Sequence, residues 1–97
     1  NICRVDGIIV LDIKGRLDTA NARDFSIAIQ PLLQEDKPNI IVNCEQMSYI
    51  SSSGLRCFLI LQKSIQKNQG SLIIEAMRPE IKNIFEMTGC TSLFNIR

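Results

Sequence analysis

Apolar segments rich in Ile and Val, at residues 8–13, 40–43 and 71–76, alternate along this chain with stretches whose apolar residues recur every three or four positions. Short apolar runs of that kind read as strands, while three- and four-residue spacing is the buried stripe of an amphipathic helix. Residues 2–5 and 8–13 are strand-like, with Asp6-Gly7 as a hairpin turn between them. A helix is predicted over 22–34 on the stripe Ala22, Phe25, Ala28, Ile29, Leu32 and Leu33, with Pro31 kinking it or ending it early. Lys37-Pro38-Asn39 is a turn, and 40–43 reads as a strand buried in the sheet centre. A polar loop over 44–52 then leads into a helix that starts in Ser51-Ser52-Ser53 and ends near Asn68, before Gly70. After the strand at 71–76, Pro79 opens a third helix on Ile81, Ile84 and Phe85, Gly89 stops it, and 93–96 forms the last strand. This order predicts an α/β fold, a sheet with parallel crossovers and helices packed against it.

At 97 residues with 45% apolar content, the chain is expected to form a single domain over residues 1–97. Eleven basic and ten acidic residues, scattered along the sequence, give a net charge of +1. Direct nucleic-acid binding needs a concentrated basic face, which this pattern does not supply. No apolar run approaches the roughly 20 residues of a membrane span, and no charged and then apolar block of a secretory signal opens the chain. The first residue is Asn rather than Met, as expected of a trimmed chain.

Cys3, Cys44, Cys57 and Cys90 form no C-x-x-C pair, and the sequence has no histidine. Their apolar neighbours suggest buried, reduced thiols in a reducing cytoplasm, not a metal site. Without histidine neither a Ser-His nor a Cys-His dyad can be built. Gly54 and Gly70 are isolated, so there is no glycine-rich phosphate loop.

The serine triplet precedes the stripe Leu55, Phe58, Leu59, which puts hydroxyls at a helix start. Unpaired N–H groups and the positive end of the helix dipole make a phosphate on one of them locally tolerable. Ile50-Ser51-Ser52-Ser53-Gly54-Leu55 resembles the Asp-Ser-Ser-Gly-Leu signature of STAS domains, the family of anti-sigma-factor antagonists and of the regulatory tails of sulfate transporters. Gly15-Arg16-Leu17-Asp18, followed by Ala20, Asn21 and Ala22, resembles that family's Gly-Glu-Leu-Asp turn. Phe85-Glu86-Met87-Thr88-Gly89 running to Leu93-Phe94 is similar to its C-terminal helix and last strand. Ser51 stands where the family usually has Asp, and Arg16 where it usually has Glu.

The resemblance implies a STAS-like domain with a mixed β-sheet and three to four helices. It implies a cytoplasmic, non-enzymatic antagonist with no cofactor or metal. The unphosphorylated form would bind an anti-sigma factor with serine kinase activity and free the sigma factor that it holds, until phosphorylation of Ser52 ends the binding. Asp18, Ser51, Ser53, Gly54 and Arg56 are the expected partner-binding residues around Ser52. The alternative is a constitutive interaction module of a transporter or signalling assembly, in which Ser52 is structural. If the strands at 8–13 and 40–43 are neighbours, Asp18 and Ser52 share one edge of the molecule.

Overall fold

A computed structural model describes residues 2–89 and 91–97. A hairpin of β1 (Ile2–Val5) and β2 (Ile8–Leu17) is followed by α1 (Ala22–Ala28) and a 3-10 turn (Gln30–Gln34). Then come β3 (Asn39–Ile50), α2 (Ser52–Lys67), β4 (Ser71–Glu75), α3 (Pro79–Met87), a second 3-10 turn (Thr91–Leu93) and β5 (Asn95–Ile96). The five strands form one sheet in the order β1-β2-β3-β4-β5. The β1–β2 pair is antiparallel and the other three pairs are parallel, which is the mixed sheet with crossovers that the element order predicts.

The hairpin closes as the sequence requires, with Asp6 and Gly7 at φ of 52° and 81°. Two successive positive φ values are those of a type I′ turn, whose twist matches that of paired strands.

One face of the sheet carries the core. Ile9, Leu11 and Ile13 of β2, Ile40, Val42 and Cys44 of β3, and Leu72 and Ile74 of β4 are buried beneath Leu55, Phe58, Leu61 and Ile65 of α2 and Ile81 and Phe85 of α3. Phe58 is at the centre of an aromatic cluster, its ring centroid 5.8 Å from Phe25, 5.9 Å from Phe85 and 6.4 Å from Phe94. Tilted and edge-on pairs of this kind each contribute about 0.5–1.5 kcal/mol beyond area burial, so the cluster ties α1, α2, α3 and the chain's end into one core.

The structure corrects several sequence expectations. Helix α1 ends at Ala28 rather than running to residue 34, because Pro31 cannot donate to an α-helical ladder and the chain tightens into the 3-10 turn. Ala28, expected in the buried stripe, is exposed. β4 stops at Glu75, since Ala76 takes φ +58°, and the last strand is only Asn95–Ile96, with Leu93 in the preceding turn. Cys3 is exposed on β1, not buried, whereas Cys44 and Cys57 are buried free thiols. Cys90 lies outside the described residues.

The largest correction shapes the site. Most of the polar loop expected over 44–52 is instead strand: residues 44–50 are the second half of β3, Ser51 caps α2 and Ser52 begins it. Asp12 pairs with Asn43 but Lys14 with Gln46, and Gly15 pairs with Met47 but Arg16 with Tyr49. Each step advances β3 by one residue more than β2, as in a bulged strand. The bulges place Cys44, Met47 and Ile50 inward at three-residue intervals, all at most 1% exposed. Two-residue alternation is therefore missing where the chain is nonetheless a strand.

Candidate functional site

Because β2 and β3 run parallel and stay paired to their ends, Leu17 lies beside Ile50. The ladder continues one bond further, with the Ser51 N–H donating to the Leu17 carbonyl at 2.8 Å. The turn after β2 and the start of α2 are thereby fastened side by side, and Asp18 and Ser52 share one edge of the molecule.

The three serines occupy different environments. Ser51 is 8% exposed and is the N-cap of α2, its Oγ accepting the Gly54 N–H at 3.2 Å. Ser52, the first helical residue, is exposed, and Ser53 is half-buried. Gly54 is buried against β2 and Ile50. Arg56 is exposed one turn beyond Ser52.

Across the edge, Asp18 holds a tight turn. Its Oδ1 accepts the N–H groups of Ala20 and Asn21 at 3.1 and 3.2 Å, and its own N–H donates to Asn21 Oδ1 at 2.8 Å. Asn21 Nδ2 also donates to the Arg16 carbonyl at 2.7 Å. Asp18 thus organises the approach to α1, and its side chain caps the turn rather than the helix; Asn21, at the N-cap position, makes no side-chain cap bond to the helix. The sequence pattern places Asn21 in the family-like turn without a role, although the Asp-x-x-Asn spacing of a reciprocal backbone cap is its signal.

Asp18 Oδ2 meets Arg16 Nε at 3.5 Å, and the Arg16 guanidinium lies 4.4 Å from the centroid of the half-buried Tyr49 ring. The stack is a product of the bulged register, which brings Arg16 opposite Tyr49. Arginine on an aromatic face is worth about 0.5–1 kcal/mol at an exposed site, and Arg and Tyr are residue types that anchor protein interfaces. The edge therefore brings Arg16, Tyr49 and Asp18 together, with Ser52 and Arg56 on the adjoining start of α2.

The thiols lie behind this edge. Burial pushes the Cys44 thiol up to about 12. Burial also raises Cys57, partly opposed by the positive charge of Arg56. Cys57 Sγ contacts the Ala22 carbonyl at 3.6 Å, which joins α2 to α1. Both thiols are protonated at neutral pH, so neither supplies a nucleophile. Among the described residues no group of three or more His, Cys, Asp and Glu could hold a metal ion.

The STAS domain model matches residues 1–97, the whole of this chain. The chain belongs to the STAS domain family. Among relatives of this STAS domain, the anti-sigma-B factor antagonist of Staphylococcus aureus is 29% identical over 91 residues, covering 94% of this chain and 84% of the relative. Two solved structures share the fold. An anti-sigma factor antagonist from Mycobacterium paratuberculosis superposes with a TM-score of 0.87 at 20% identity, covering 99% of this chain and 81% of that one. The Bacillus cell fate determinant SpoIIAA in its phosphorylated form gives a TM-score of 0.75 at 20% identity, covering 100% and 89%. Among the described residues of this STAS domain, no helix is long and apolar enough to cross a membrane.

Proposed function

We propose that this STAS domain is an anti-sigma-factor antagonist that binds an anti-sigma factor with serine kinase activity and is released when Ser52 is phosphorylated. The names of its relatives support the class, and one observation supports the residue. Of the three serines at the start of α2, Ser51 is buried and committed as the cap, Ser53 is half-buried, and Ser52 alone is exposed.

In the reaction, the Ser52 Oγ attacks the γ-phosphorus of the kinase's ATP. The new P–O bond forms as the bond to the β-phosphate oxygen breaks, ADP leaves, and the hydroxyl proton passes to a base of the kinase. The product carries about −1.5 to −2 charges at neutral pH. An exposed site at the positive end of a helix tolerates that charge within the fold. A partner covering the same edge must desolvate the phosphate or repel it, and the complex dissociates. The antagonist itself performs no catalysis and works in the cytoplasm beside the transcription machinery.

Calorimetry against an anti-sigma factor with serine kinase activity from the same organism tests the reading. Ser52→Asp is expected to bind at least tenfold more weakly than wild type, with Ser52→Ala close to wild type and all three melting together. Equal binding by the three would instead identify a constitutive scaffold.

A further inference from the structure

We propose that Arg56 is the counter-ion of phosphoserine at position 52, so that the phosphate is held on the domain itself by a guanidinium one helical turn away. The proposal rests on the reading that Ser52 is the modified residue. Helix α2 is 16 residues long, and Ser52 and Arg56 are its first and fifth. Residues four apart on a helix have Cβ atoms about 6 Å apart and face the same way, within reach of a long arginine side chain. Both are exposed, so neither needs to leave the core to meet the other.

Two features make Arg56 the available cation. Its side chain makes no ion pair or hydrogen bond to any described residue, and the first turn of α2 holds no acid to compete for it. Arg16, on the opposite side of the edge, is already engaged by the Asp18 carboxylate at 3.5 Å and the Tyr49 ring at 4.4 Å. Other charges on the elements beside this helix start come in opposite signs, Arg16 with Asp18 after β2 and Arg23 with Asp24 in α1. A phosphate approaching from Ser52 thus meets a free guanidinium along its own helix and a neutralised one across the gap. Charge-assisted hydrogen bonds from arginine to phosphate favour the dianion.

The pairing holds part of the phosphate's charge on the domain itself and softens its effect on a partner. Phosphorylation then places a partly neutralised phosphate–guanidinium pair, rather than a bare dianion, at the partner-facing edge.

The test installs phosphoserine at position 52 during translation, so that it does not depend on any kinase. The second phosphate ionisation is then followed by phosphorus NMR in chains carrying Arg56, Arg56→Lys and Arg56→Gln. An exposed pair of this spacing is expected to lower the phosphate pKa by about 0.3 unit relative to Arg56→Gln, roughly a twofold change in proton affinity. Arg56→Lys is expected to fall between the two, and the gap should shrink in high salt. Equal melting temperatures of the unphosphorylated chains confirm that the substitutions leave the fold intact. The same pKa in all three chains would overturn the proposal. If the pKa shift appears but the partner kinase leaves Ser52 unmodified, the contact stands and the switch falls; efficient phosphorylation with no shift removes the contact and keeps the switch.

Discussion

Gly54 and Leu17 are in direct contact: a Cβ at position 54 would fall 2.8 Å from Leu17 Cγ and 3.0 Å from its Cδ2. Ile50 Cγ1, also 3.0 Å away, closes the other side. Leu17 is 4% exposed and immediately precedes Asp18, so this contact sets how closely the start of α2 approaches the Asp18 turn. Overpacking costs about 1–3 kcal/mol, while alanine gains up to about 1 kcal/mol over glycine in a helix. Gly54→Ala should therefore lose about 1 kcal/mol, read as a lower urea midpoint at unchanged slope. Leu17→Ala should relieve the clash, giving a double mutant more stable than the sum of the single changes predicts. A raised midpoint in Gly54→Ala alone would show that the contact is loose.

Ser51 is expected to matter for stability and not for phosphate acceptance. Its Oγ satisfies the Gly54 N–H, and loss of such a cap costs about 1 kcal/mol. Ser51→Ala should lower the unfolding free energy by about that amount and still allow phosphorylation at Ser52. Ser51→Asp should recover most of the loss, because Asp caps as well as Ser. Phosphopeptide mapping that finds the label on Ser51 would contradict this division of roles.

Asp18 separates shape from charge. Asn at position 18 keeps an Oδ1 that can accept the Ala20 and Asn21 N–H groups, but it gives up the ion pair to Arg16. That exposed pair is worth about 0–1 kcal/mol, so Asp18→Asn should melt close to wild type, whereas Asp18→Ala should lose about 1–2 kcal/mol. A slower single-turnover phosphorylation of Asp18→Asn would assign the charge a part in docking the kinase. An unchanged rate would leave Asp18 as the keeper of the turn.

Much of this architecture was legible because local chemistry and global fold agree. Asp6-Gly7 specified the hairpin, the serine triplet and Gly70 bracketed α2, and Pro79 marked the start of α3. The second half of β3 was not legible, since its two bulges replace the strand's period of two with a spacing of three at Cys44, Met47 and Ile50. The extent of α1 turned on Pro31, whose effect depends on whether packing keeps the helix going beyond it. At the site, the pattern placed Ser52 and Asp18 on one edge, but the Arg16–Tyr49 stack depends on cross-strand register, which no single segment encodes. The division of labour between Ser51 and Ser52 rests on burial, which the repeated serines conceal.

The raised thiols predict alkaline sensitivity. Cys44 is shifted from 9.0 to about 12 in the folded state, so between those values the unfolded chain loses a proton that the native chain keeps. Its contribution is fully present below pH 9 and is lost as pH rises toward 12, at up to about 1.4 kcal/mol per pH unit. Cys57, raised in the same direction, adds to the slope. Urea midpoints taken between pH 8 and 10.5 should fall less steeply in Cys44→Ala than in wild type. Parallel slopes would contradict the assignment. Under native conditions a thiol reagent should label Cys3 well before Cys44 or Cys57.

The central claim is that one exposed hydroxyl at the start of α2 controls partner binding. Its most direct test is to incubate the chain with an anti-sigma factor kinase from the same organism and ATP, locate the phosphate by mass spectrometry, and measure the affinity of the purified product for the same factor. A single phosphate on Ser52 and a fall in affinity of at least tenfold are predicted. An unmodified chain, or a Ser52-phosphorylated chain that binds as tightly as before, would contradict the account.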